Sequence, residues 1–347
     1  MISKEAWENV KTRMLGYWER EAMDRCSASI IVSYQNPSGN QAYYDARAAD
    51  RRARSILTKQ AYFGEAFGCY FPYFGTAGIA EYTGCKANHT PATTWFEPWL
   101  ETPDATQITY RCPEVFARQK QAIQEILALS GGDYMVSVTD NCGILDALAA
   151  IRGTQNMLMD LRMAPEFVED ATIRLLAIYK QTQEELFSLV RENNDGCVQQ
   201  WMQLWAPKRL AQLQCDMSVM ISAKMYGRFV VPVLEELTQF LDYSVYHLDG
   251  IEQIRHLDHL LSVKRLNAIQ WTNVAGQPRL TEYVPVLQKI QKAGKNLVIA
   301  PKASEVEYLL DNLSCRGLHL LLGDLDSAEE AQDMLKLLQK RSVDRVL

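Results

Sequence analysis

The sequence predicts an α/β chain folded as a single (β/α)8 barrel with an N-terminal helical extension, and two observations carry that prediction. Short β-branched or aromatic runs ending in polar residues or Gly are repeatedly followed by longer stretches of helical period, which is the pattern of parallel βα units. The chain also has 347 residues with 48% hydrophobic and 22% charged side chains, enough to bury a large core without cross-links. Composition excludes disorder, collagen and coiled-coil arrays.

The predicted strands are Ser29–Tyr34, Cys69–Phe74, Tyr134–Thr139, Cys197–Leu204, Ser244–Leu248, Leu266–Trp271, Leu297–Pro301 and Leu318–Leu322. Between and after them the predicted helices are Pro113–Leu129, Pro165–Glu192, Ala223–Leu241, Ile251–Ser262, Thr281–Ala293, Ala303–Leu313 and Ser327–Gln339. Helix edges carry matching chemistry. Asp326 or Ser327 precedes the acidic turn Glu329-Glu330, Ser304 precedes Glu305 and Glu307, and Gly294 suits the end of the helix before it. Residues 1–27 form the extension. Asn36–Tyr44 and residues 84–109 interrupt both periods and read as long loops at the barrel mouth, where such folds place their chemistry.

Charge and targeting narrow the partners. Lys plus Arg total 36 against 42 Asp plus Glu, a net charge of -6 with no basic footprint for nucleic acid. No run approaches the roughly 20 apolar residues of a membrane span, and the charged, amphipathic start lacks a signal-type apolar stretch, so the expected location is the cytoplasm. The eight cysteines are scattered without a CxxC spacing and read as reduced, mostly buried thiols. No GxGxxG after a strand, Walker loop or G-x-S-x-G is present.

The candidate site is taken from the strand ends. His247-x-Asp249 places an imidazole and a carboxylate on one face of a strand, a fragment that serves either a divalent metal or hydrogen-bonded acid/base work. Asp324 after the last strand is the candidate third ligand, with Asp216, Asp140 and Gln270 behind it. Asp140 and Asp216 are candidate catalytic carboxylates, Gln270 a substrate-orienting amide, and Trp95, Trp201, Trp205 and Trp271 candidate apolar walls. His256-x-x-His259 reads as one turn of a surface helix, His89 as a loop residue and His319 as an alternating strand residue. Cys142 and Cys215 lie near the mouth without an activating base, so packing is their expected role.

Several stretches carry a resemblance: TTWFEPW (93–99), GILDALAAIRGTQNMLMDL (143–161), LQCDMSVMIS (213–222), YHLDG with RHLDHLL (246–261), LNAIQW with AGQP (266–278) and QKIQKAGK (288–295). Through them the chain, from about residue 62 to about residue 335, resembles the uroporphyrinogen decarboxylase superfamily, within it the trimethylamine corrinoid protein 2-like group related to corrinoid methyltransferases. The resemblance implies a uroporphyrinogen decarboxylase-type barrel over 1–347, homodimers, and one of two chemistries: cofactor-free decarboxylation of a tetrapyrrole, or Zn(2+)-dependent methyl transfer from a corrinoid carried by a partner protein. The sequence departs from both. The decarboxylase arginine motif is replaced by RAADRRARSILTKQ, and where the zinc methyltransferases have His-x-Cys and a later Cys, this chain has His247-x-Asp249 and LLLGDLDS. The implied reading is a barrel enzyme moving a methyl group between a small methylated substrate or corrinoid protein and an acceptor. His247, Asp249 and Asp324 are then the candidate metal ligands, and the loop at Trp95–Trp99 the docking rim. The alternatives are a cofactor-free carboxy-lyase, which requires several of Arg47, Arg51, Arg52 and Arg54 to line the pocket, and a barrel that binds a small molecule without turnover.

Overall fold

The computed structural model describes residues 3–34, 41–139, 141, 143–274 and 276–347. Its strands are β1 (Ser27–Ser33), β2 (Gln60–Gly64), β3 (Cys69–Tyr70), β4 (Lys86–His89), β5 (Thr94–Glu97), β6 (Met135–Val136), β7 (Cys197–Gln199), β8 (Leu204–Ala206), β9 (Leu210–Leu213), β10 (Tyr243–Asp249), β11 (Ala268–Thr272), β12 (Asn296–Ile299) and β13 (Leu318–Leu322). Seven of them form one mixed sheet in the order β2-β1-β13-β12-β11-β10-β9, parallel throughout except for antiparallel β2 on the edge of β1. β3 and β6 make a separate parallel pair. No ladder among the described residues joins that pair to β1 or β9, so the expected closed barrel is represented by a seven-stranded sheet and a detached pair.

Sheet strands such as β12 and β13 are nearly continuous apolar runs because both faces are covered, as parallel sheets require. The helices between them start where local chemistry provides a partner for their first N–H groups. Asp45 accepts from Ala48 ahead of helix Ala46–Leu57, and Ser327 accepts from Glu330 ahead of helix Ala328–Arg341, whose first turn holds Glu329 and Glu330. Past helix Val284–Lys292, Gly294 takes the left-handed φ of +77° that returns the chain to β12.

The fourth predicted strand, Cys197–Leu204, is corrected. Residues 197–206 form an antiparallel hairpin of β7 and β8, reversing at a turn where Gln203 has φ +49°. The parallel neighbour of β10 is β9, Leu210–Leu213, a run without β-branched residues. The second and third predicted strands shrink to β3 and β6. Pro72, which has no N–H to donate, follows β3 closely, and the free side of β6 is bridged instead by the buried Asn194 amide, which accepts from Val136 N (3.0 Å) and donates to Val136 O (2.7 Å). Helix Ala46–Leu57, edge strand β2 and helices Ile144–Arg152 and Thr154–Met163 complete the architecture, and the 84–109 loop contains the β4–β5 hairpin.

The N-terminal extension contains helix Lys4–Trp18, which seats on the ends of the strands opposite the predicted mouth. Trp7 packs edge-on against Phe67 and Trp205, Trp18 Nε1 donates to Trp205 O at 2.8 Å, and Asn296 Nδ2 donates to Tyr17 O and Trp18 O. Above it lies Glu65, 1% exposed. Its carboxylate accepts from Arg13 Nε (2.6 Å), Arg25 Nη2 (2.6 Å), Arg25 Nη1 (2.9 Å) and Ala28 N (2.6 Å). Burial works against the charge, but the guanidiniums and the Ala28 N–H hold this carboxyl below its ordinary range.

His319 is a fully buried strand residue on β13, as its alternation predicts, with Nδ1 2.8 Å from Ser27 Oγ. Burial pushes its pKa down from 6.5 to about 4. In that window the unfolded chain binds a proton that the folded chain does not, so this residue's contribution to stability falls as pH drops from 6.5 toward 4. Glu81 and Asp146, whose carboxyls burial raises to about 7 and about 6, act in the opposite sense. Comparing His319→Gln with the parent isolates the imidazole: denaturant melts at about pH 7 and about pH 5 should show the parent losing about 2 kcal/mol more than the variant. Equal losses in the two proteins would refute it.

Candidate active site at the strand ends

β10 and β11 align His247 with Gln270 and Asp249 with Thr272, so period-two alternation puts these four side chains on one face at the C-terminal ends of their strands. His247 Nδ1 lies 2.5 Å from Gln270 Oε1, and Gln270 Nε2 donates to Thr272 Oγ1 (2.6 Å) and Trp271 O (3.3 Å). A carbonyl oxygen only accepts, so the amide nitrogen belongs on the Trp271 side. Gln270 Oε1 must then accept, and in the neutral imidazole Nδ1 carries the proton. Nε2 is left with a lone pair, 4.0 Å from Asp249 Oδ2. The Trp201 ring, from the β7–β8 turn, stands perpendicular to the imidazole with centroids 5.1 Å apart.

Asp216 follows β9 in a one-turn helix, Asp216–Met220. Gln212, Gln214 and Asp216 recur at period two, and their side chains form a directed chain. Met202 N donates to Gln199 Oε1, Gln199 Nε2 to Gln212 Oε1 (2.6 Å), Gln212 Nε2 to Gln214 Oε1 (2.9 Å) and Gln214 Nε2 to Asp216 Oδ2 (3.1 Å). Every amide dipole points at the carboxylate. Burial raises the Asp216 pKa, and nearby Asp249 adds to the rise while His247 and Gln214 oppose it.

The Asp216 turn is held from two sides by residues that sequence reading did not nominate. Asp146 accepts from Asp216 N (3.0 Å) and Met217 N (2.9 Å), and burial together with the Asp216 charge pushes its carboxyl up to about 6. His256 Nε2 donates to Ser218 O at 3.0 Å while its ring stacks on Tyr226. His256 is therefore a buried clamp, and the expected surface turn His256-x-x-His259 is corrected. The signal for Asp146 was available only in three dimensions. For Gln212-x-Gln214-x-Asp216 it was the same alternation that singled out His247-x-Asp249.

Other nominated residues are placed elsewhere. Trp271 is buried on the opposite face from Gln270 and packs on Tyr283 at 4.8 Å, as alternation along β11 demands. Trp205 is buried in the core, its Nε1 donating to Asn194 O and its ring meeting Trp7, so it does not wall a pocket at the strand ends. Trp95 is 67% exposed on the β4–β5 hairpin. Asp140 and Cys142 lie outside the described residues. The other seven cysteines are unpaired, and Cys215 is buried with its thiol pKa pushed up by burial and by Asp146 and Asp216, in keeping with packing.

The expected metal set does not fit its role. Asp324 accepts from Ala303 N at 3.0 and 3.2 Å, capping the turn Ala303–Glu305. His247 and Asp249 are neighbours, but neither with Asp324 nor otherwise is a group of three or more His, Cys, Asp or Glu among the described residues arranged to hold a metal ion. No helix of the described residues is long and apolar enough to cross a membrane.

With this geometry in hand, comparison with solved structures finds a full-length likeness. A methyltransferase from Methanosarcina mazei superposes with a TM-score of 0.59 at 12% sequence identity, covering 96% of this chain and 98% of that one. At that identity the likeness concerns the fold. No family model matches the sequence, and no curated protein does.

Proposed function

We propose that the chain is a methyltransferase-like enzyme of the uroporphyrinogen decarboxylase type of barrel, moving a methyl group between a small methylated compound or corrinoid protein and an acceptor. Two strands of support meet here: the full-length likeness to a methyltransferase, and the cluster of His247, Asp249 and Asp216 at the C-terminal strand ends, the catalytic end of βα folds. The observation that carries the reading is the Gln270-fixed imidazole, which leaves His247 Nε2 ready to take a proton from an acceptor or return one to a leaving group. Asp216, at the end of its amide chain, is the second acid/base group, with Asp249 beside it. Trp201 supplies an apolar wall.

A methylated corrinoid, when bound on its carrier, supplies an electrophilic methyl group. The fit here is one of access: the Asp249 side chain is 40% exposed, so the cluster can be reached from outside. Zinc has no step in this reading, because Asp324 is engaged by Ala303 N and no third ligand among the described residues joins His247 and Asp249. The decarboxylase alternative loses support at its own discriminator. Of the four arginines Arg52 lines a cavity, while Arg54 is held by Asp50 and Asp133 and Arg47 and Arg51 are exposed. The test supplies methylcobalamin as donor with a panel of small thiols and amines, following loss of the cobalt–carbon absorbance. Demethylation that depends on protein and on His247 supports the reading, and none with any acceptor overturns it.

A further inference from the structure

A small cavity of about 20 Å3 lies inside the fold between the strand ends of β6 and β9, lined among others by Thr139, Asn141, Gln183, Gln199 and Gln212. Three polar atoms on its wall have no hydrogen-bond partner among the described residues: Thr139 Oγ1, Asn141 Oδ1 and Gln183 Nε2. All three side chains are more than nine-tenths buried, at 4%, 2% and 2% exposure. Buried polar groups are almost always satisfied, so three orphans on one wall point to a missing partner.

Two chains of hydrogen bonds flank the cavity. On one side Asn141 Nδ2 donates to Tyr82 Oη (3.5 Å), Tyr82 O–H donates to Gln119 Oε1 (2.5 Å), and Gln119 Nε2 donates to Glu81 Oε2 (3.3 Å). On the other side Gln199 and Gln212 begin the amide chain that ends on Asp216.

We infer that the cavity is a binding site for one water molecule, which accepts from Gln183, donates to Asn141 and bonds Thr139, and so extends the chain that ends on Glu81. The volume suits this occupant: a single water needs roughly 10–15 Å3 of such space and commonly makes about three hydrogen bonds. The lining matches a ligand that both donates and accepts. Thr139 can do either, Asn141 Oδ1 only accepts and Gln183 Nε2 only donates.

A high-resolution crystal structure of the full chain, with Thr139→Val and Gln183→Met beside it, tests the inference. The expected parent structure shows one solvent peak within about 2.7–3.2 Å of all three atoms. Thr139→Val should then lower Tm by about 1–3 °C, because the water loses a partner. A dry cavity would make the Thr139 hydroxyl an unsatisfied burden, and the near-isosteric valine would raise Tm. No solvent peak, or a cavity that admits xenon in the parent, overturns the inference, as does a rise in Tm. If Thr139→Val does not fold, the parent density and Gln183→Met decide. None of these readouts depends on methyl transfer, so failure here is separable from failure of the proposed activity.

Discussion

Glu65→Ala is expected to lower the unfolding free energy by about 3–5 kcal/mol, the largest stability effect of any single substitution considered for this chain. The carboxylate is 1% exposed and accepts from both Arg13 and Arg25 as well as from Ala28 N. Alanine removes the acceptor and leaves two sheltered guanidiniums and a buried N–H facing a void. Arg13 retains Asp24 and Arg25 retains the carbonyl of Cys26, so the loss is bounded. Glu65→Gln keeps volume and one acceptor oxygen and should cost less, separating the charge from the cavity. Urea unfolding at neutral pH measures both. A cost below about 1 kcal/mol for Glu65→Ala would show that the network contributes nothing beyond its desolvation.

The largest expected effect on activity comes from removing His247 or Asp216. His247→Ala should reduce methyl transfer by about 10²–10⁴-fold, the usual range for a general acid or base. Asp216→Asn keeps shape and the hydrogen bond from Gln214 while deleting the charge, and should fall in the same range. Gln270→Leu tests positioning: it frees the imidazole to adopt either tautomer, so the rate should drop by less than in His247→Ala. Its pH profile should also shift, which a merely structural role would not produce. If single-turnover rates of all three variants match the parent, the cluster is not the reacting site.

Much of this was legible because period two is a rigid rule. His247-x-Asp249 read correctly as one face of a strand, and the partnership with Gln270 followed from strand register. The same rule forbids Gln270 and Trp271 from facing the same way, so the misplacing of Trp271 was avoidable. The hairpin was harder. Cys197–Leu204 has the composition of one strand, and the reversal depends on Gln203 adopting a left-handed φ that its side chain, accepting from Phe67 N, stabilises from across the fold. The surroundings of Asp324 were hard to read for a similar reason. Its place after a strand was read correctly, but a neighbouring turn needed its carboxylate as a cap. Asp146 sits seventy residues from the turn it holds, and nothing in the spacing of helix Ile144–Arg152 marks it.

The short pair β3 and β6 has a consequence for how the molecule breathes. Each holds the other over two register positions only, and the outer side of β6 is tied by one asparagine side chain rather than by a ladder. Cooperative ladders protect their amides collectively, whereas a two-rung ladder opens with little resistance. Native-state hydrogen exchange is therefore expected to start along this seam before it reaches β10 to β13, which exchange followed residue by residue would check. The strand-end histidine stands in the seven-stranded ladder rather than in the two-rung pair, on the side expected to open last.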